Sequence, residues 1–138
     1  MTALVAGCGD GTLSHGDFVK KADAVCTAYR GATAGVKPPR TYNGVVAYVR
    51  KTLPVYESAL RRLEALKPPS RDADAVRRWL AADRRIVKAM RDLAVAGERR
   101  DYPAINVALA KIDLASSAAR DASLGLGLHV CTRLVTAR

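Results

Sequence analysis

A chain of 138 residues is about one domain long and can withdraw roughly two thirds of its unfolded surface from water, so a single core is feasible. With 49% apolar and 26% charged residues it is neither a disordered nor a low-complexity protein, and no segment reaches the 18 or more apolar residues of a membrane span. The formal net charge of +10 sets up a positive field that attracts anionic partners, although the Arg and Lys residues come in scattered pairs interleaved with Asp and Glu, as solvated helix faces do.

The first feature along the chain is Leu4-Val5-Ala6-Gly7-Cys8. Two small residues before a cysteine, preceded by aliphatics, resemble the lipobox of bacterial lipoproteins, in which the signal peptide is cut before the cysteine and its sulfur carries a diacylglycerol. The resemblance implies Cys8 as the lipidation site and mature residue one. A signal peptide needs a basic start and an apolar stretch of about 7–15 residues, which residues 1 to 7 do not supply. Either the true start lies upstream, or the chain has been trimmed, or the match is a chance one in an Ala-rich chain. Residues 1–13 are assigned to a residual signal peptide with lipobox and a polar, Gly-rich tether.

With Cys8 lipidated, Cys26 and Cys131 remain, and an even pair far apart in sequence reads in an oxidising compartment as a structural disulfide. Two independent buried thiols in a cytosolic protein are the other reading. No CxxC motif supports a redox role.

Ser14 followed by Asp17 opens a capping-box-like start, and Phe18, Ala22, Val25, Tyr29 and Ala32 recur at helical spacing, which predicts a first helix over about 15–34. Gly35 and Pro38-Pro39 end it. Val46, Val49, Leu53, Tyr56, Leu60 and Leu63 alternate by three and four over residues 43–66, with Pro54 expected to bend that helix or split it in two. Lys67-Pro68-Pro69 breaks the pattern. Ser70 or Asp72 then caps a third helix with Val76, Leu80, Ile86, Val87, Met90 and Leu93 inward and Gly97 as terminator. Asp101 precedes Tyr102-Pro103 and a fourth stripe of Ile105, Leu109, Ile112, Ser116 and Ala119 reaching about Leu124. Gly125 to Cys131 is expected as an extended tail.

Four amphipathic helices on short links predict an all-α fold, an antiparallel four-helix bundle over residues 14–131 with the tail tied back by a disulfide and residues 132–138 as a short end. The layout resembles small secreted lipoproteins of uncharacterised function from actinobacteria and related lineages. The resemblance rests on Leu13-Ser14 with Phe18, Ala22, Asp23 and Cys26, on Leu66-Lys67-Pro68-Pro69, and on Gly127-Leu128-His129-Val130-Cys131. It implies the lipid anchor and the cysteine pair, with no activity attached.

No catalytic, cofactor-binding or metal-ligating set emerges. The Glu-x-x-His pairs of bundle metal sites are missing, and His15 and His129 read as surface or satisfied histidines, with His15, Asp10 and Asp17 a weak metal set at most. Asp83 falls on the apolar register of the third helix and is expected at its edge, paired with an Arg such as Arg84 or Arg85. Trp79 reads as core or rim. Without a nucleic-acid-binding motif, nucleic acid is not an expected partner. The expectation is a non-enzymatic cell-envelope lipoprotein, exported, anchored through Cys8 to the outer face of the cell membrane, that contacts an envelope protein or an anionic lipid or wall polymer. The alternative is a binding module holding a small apolar ligand between its helices, where Ala115, Ala118 and Ala119 leave space.

Overall fold

The computed structural model describes residues 11–134 and is all-helical, without strands among those residues. Helix α1 spans His15–Thr33, α2 Tyr42–Glu64, α3 Ala73–Glu98, α4 Tyr102–Gly125 and α5 Val130–Leu134, with a 3-10 turn at Ser70–Asp72. Cys8 and residues 135–138 lie outside the described residues.

The helix starts follow from local chemistry. Ser14 Oγ accepts the Asp17 backbone N–H, Thr41 Oγ1 accepts that of Gly44, and Asp101 accepts that of Ala104, so each side chain satisfies an amide that the first turn leaves without a partner. At α3 the expected side-chain cap does not form. The chain enters through the 3-10 turn, and the Asp72 carboxylate instead meets His15 Nδ1 at 2.7 Å, joining the start of α1 to that of α3. Beside it, the Leu13 N–H donates to the Lys67 carbonyl.

Pro54 does not split α2, which runs unbroken from Tyr42 to Glu64. An interior proline costs about 3 kcal/mol, but burial of Val49 and Thr52 on one side and Leu60 and Leu63 on the other holds both halves in one register. Ion pairs Arg50–Glu98, Glu57–Arg91 and Glu64–Arg84 also tie α2 to α3 on both sides of Pro54, stepping up one helix as they step down the other.

Gly97 is not the terminator of α3. It lies inside the helix, where an added Cβ would stand 2.5 Å from both methyls of Val46, so the missing side chain lets α2 and α3 approach. The left-handed residue after the helix is Arg100, with φ 52°.

α3 lies between α2 and α4, α1 packs on α2, and α5 joins α1 to α4. The core is built from Phe18, Ala22 and Val25 of α1, Leu60 and Leu63 of α2, the stripe Val76 to Leu93 of α3, and Ile105, Ala108, Ala115 and Ala119 of α4. Trp79 is buried in it.

The expected extended tail is largely a turn and a helix. Gly127 takes a positive φ of 77°, which reverses the chain and lets Leu126 and Leu128 both bury their side chains before α5 begins. The Asp23 carboxylate of α1 then accepts the backbone N–H groups of His129, Val130 and Cys131 at 3.0, 2.9 and 3.1 Å. A five-residue helix without its own cap is thus capped by a residue 106 positions earlier. The helix continues past residue 131, and buried Thr132 meets the hydroxyl of Ser123 at 2.8 Å. Cys26 and Cys131 are bonded, closing α5 onto α1 across a sequence separation of 105.

Candidate binding cleft

Between the second half of α1 and the middle of α4 the helices leave a cleft of about 600 Å³. Its floor is Val49 and Thr52 of α2 with Met90 and Leu93 of α3, and one wall is Leu109, Ile112 and Ser116 of α4. Tyr29, Tyr48 and Tyr56 line the opposite side, with Arg120 and Leu134 also at its margin. A second recess of about 350 Å³ adjoins it, sharing Pro39, Val45 and Leu109.

The sequence produces this opening in a simple way. α5 joins α1 to α4 at the middle of α1, through Asp23 and Cys26, whereas α1 ends at Thr33 and the following link carries Pro39 along the cleft edge. Among the described residues no helix covers the remaining gap. On α4 the residues facing it include Ser116 and Ser117, which are too small to close it. The alanines expected to leave space behave differently: Ala115 and Ala119 are buried in the core, and Ala118 is exposed.

The lining is chiefly aliphatic and aromatic, with hydroxyls at intervals and the charged side chains of Asp113 and Arg120 on the α4 side. Thr52 Oγ1 donates to the Tyr48 carbonyl, so the one polar side chain on the buried floor is already satisfied. Tyr29 and Tyr56 meet edge to face, with centroids 5.4 Å apart and planes at 82°.

Behind Tyr56 sits Asp83, which is 5% exposed. The expected surface pairing with Arg84 or Arg85 does not occur, because Arg84 reaches Glu64 and the Asp83 carboxyl points inward to accept the Tyr56 hydroxyl at 2.8 Å. Burial raises the Asp83 pKa to about 7, against the smaller lowering effect of the Tyr56 hydrogen bond. Burial likewise holds the Tyr56 phenol well above its ordinary value, with Asp83 adding to it, and lifts Tyr29 to about 12. Tyr29 and Tyr56 are therefore neutral hydrogen-bonding groups at physiological pH, and Asp83 is a carboxyl divided between its two states. Asp83 also lines a void of about 30 Å³ beside Cys26, Cys131 and Trp79, too small for an organic ligand.

Sequence reasoning found Asp83 by its apolar register but not its partner. Tyr56 was legible as a stripe residue of α2, and only the packing of α2 on α3 brings the two together. Of the weak metal set, Asp10 lies outside the described residues, His15 is engaged by Asp72, and Asp17 is hydrogen-bonded to Ser14. Among the described residues no group of three His, Cys, Asp or Glu side chains is placed to hold a metal ion, and no helix is long and apolar enough to cross a membrane. Compared with protein-family models, curated proteins and solved structures, the chain matches none.

Proposed function

We propose that the protein is a non-enzymatic binding module that holds an apolar or amphipathic small molecule in the cleft between α1 and α4. The observation that carries this reading is the cleft itself: about 600 Å³, within the range of small-molecule sites, with an apolar floor and phenol, hydroxyl and two charged groups, Asp113 and Arg120, at its sides. An aliphatic or fused-ring body fits the floor of Val49, Met90 and Leu93, and a hydrogen-bonding end fits Ser116 or a tyrosine hydroxyl.

The helices in this reading form an antiparallel four-helix bundle, opened along one seam and closed at the other end by α5. Support comes from the three α2–α3 ion pairs, whose members run in opposite directions along the two helices. The module belongs with small secreted lipoproteins, exported and held to the outer face of the cell membrane by lipid on Cys8. The Cys26–Cys131 bond supports export, because such bridges persist in oxidising compartments.

The test is titration of the full chain with 1-aminoanthracene, an apolar fluorophore of suitable size. The expected result is saturable enhancement at one site per chain, abolished by Ser116→Trp, which fills the cleft, with helix content unchanged by circular dichroism. Non-saturable enhancement, or equal binding by the variant, contradicts the reading.

A further inference from the structure

Helix α4 is apolar on more faces than its packing uses. One side is buried through Ile105, Ala108, Ala115 and Ala119, and a second borders the cleft through Leu109 and Ile112. A third carries Val107, Lys111, Leu114 and Ala118, spaced four, three and four, so they form one stripe along the helix. On it Val107 is 55% and Leu114 75% exposed, the latter more than any other large apolar side chain described.

The neighbouring ridge of α3 carries Arg85, Lys88, Asp92 and Val95 at the same alternating spacing, with Arg99 just past the end of the helix. Between the ridges lies a recess of about 470 Å³ whose lining includes the small residues Ala89 and Ala115, so Arg85, Lys88, Lys111 and Leu114 stand around a shallow apolar trough. Val95, 46% exposed, continues the α3 ridge beyond Asp92. Lys88 pairs with Asp92, whereas Arg85 and Lys111 have no ion-pair partner among the described residues.

We infer that this α3–α4 face lies on an anionic lipid surface, with Val95, Val107 and Leu114 entering the headgroup boundary and Arg85, Lys88 and Lys111 meeting lipid phosphates. Exposed aliphatics between long cationic side chains are what an interfacial helix presents, because the alkyl stems extend along the apolar region while the charges stay at the headgroups. Around the trough Arg85, Lys88 and Lys111 stand against Asp92 alone, which complements such a surface, and Asp121, one turn beyond Ala118, is paired with Arg120. A second copy of this chain fits poorly, since a shared apolar face would bring Arg85 and Lys111 toward like charges on the partner. The inference deepens the envelope-surface reading and needs neither the anchor nor the cleft.

The experiment uses the full chain carrying Cys8→Ser, so that no lipid contributes, and measures co-sedimentation with vesicles of phosphatidylcholine alone or mixed equally with phosphatidylglycerol. Binding is expected to the mixed vesicles, weakening as salt rises. The double variant Lys111→Glu, Leu114→Asn should lose about tenfold or more in partitioning, whereas Arg62→Glu, Leu124→Asn, with the same change of charge and apolarity elsewhere, should lose far less. Both pairs are exposed, and circular dichroism with 1-aminoanthracene titration reports whether fold and cleft persist. Equal losses from the two pairs would assign the attraction to diffuse charge and overturn the proposal, as would absence of binding. A concentration-dependent dimer abolished by Leu114→Asn would assign the face to a second copy and overturn it too.

Discussion

The hydroxyl of Tyr56 on α2 donates to the buried carboxyl of Asp83 on α3 at 2.8 Å, and the same tyrosine ring stacks edge to face on Tyr29 of α1. One hydrogen bond and one ring contact thus link three helices at the end of the cleft, at a position where an aliphatic residue would fit the local pattern.

The pH dependence follows from the sign of the Asp83 shift. Its folded pKa of about 7 lies above the ordinary 3.8, so the folded state holds the proton more tightly than the unfolded chain does. This contribution is fully present below pH 3.8, declines as pH rises, and is lost above about 7. The full cost of the ionised form is at most about 4 kcal/mol, from about 1.4 kcal/mol per unit. Asp83→Asn keeps an oxygen that can accept from Tyr56 but does not titrate. Urea unfolding should therefore find the variant nearly as stable as wild type at pH 4 and more stable at pH 8. A constant difference between the two pH values would contradict this account.

Asp23 is expected to control α5 specifically. Asp23→Ala removes the acceptor of three backbone N–H groups, and the loss of a cap costs about 1–2 kcal/mol. Hydrogen exchange at Val130 and Cys131 should accelerate while amides of α3, such as that of Leu93, keep their protection relative to global unfolding.

Reduction of Cys26–Cys131 should lower stability by roughly 2–5 kcal/mol, since the bridge closes most of the chain into one loop. Cys26→Ser with Cys131→Ser should reproduce the loss in guanidinium unfolding without removing the helices, because Phe18, Trp79 and Leu93 remain to form the core.

Gly97→Ala places a methyl 2.5 Å from the Val46 methyls, and overpacking of this kind costs about 1–3 kcal/mol. Val46→Ala in the same chain should recover part of that loss. If the two substitutions simply add, the contact is not what keeps residue 97 a glycine.

Much of the fold was legible locally. The caps Ser14 and Asp101, the proline and glycine breaks and the three-four spacing of apolar residues each act within a few residues of the helix that they specify. What escaped depends on distant partners. Pro54 reads as a break until ion pairs and buried side chains on both sides hold α2 to α3. Gly97 reads as a stop until Val46 is seen against it, and Gly125 and Gly127 suggested an extended tail because nothing nearby announces that Asp23 will cap α5. The cleft was the least legible feature, since it arises where α1 ends and α5 reaches only the margin, through Leu134. Ser116 within the α4 stripe was its one local signal.

The claim that the cleft binds a ligand is tested most directly by two-dimensional NMR of the full chain, labelled with nitrogen-15 and titrated with dodecanol. The account predicts saturable shifts at amides bordering the cleft, including Thr52, Leu93, Ile112 and Ser116, with little change at Val76 or Gly31. Shifts that never saturate, or that are confined to the exposed face around Leu114, would contradict it.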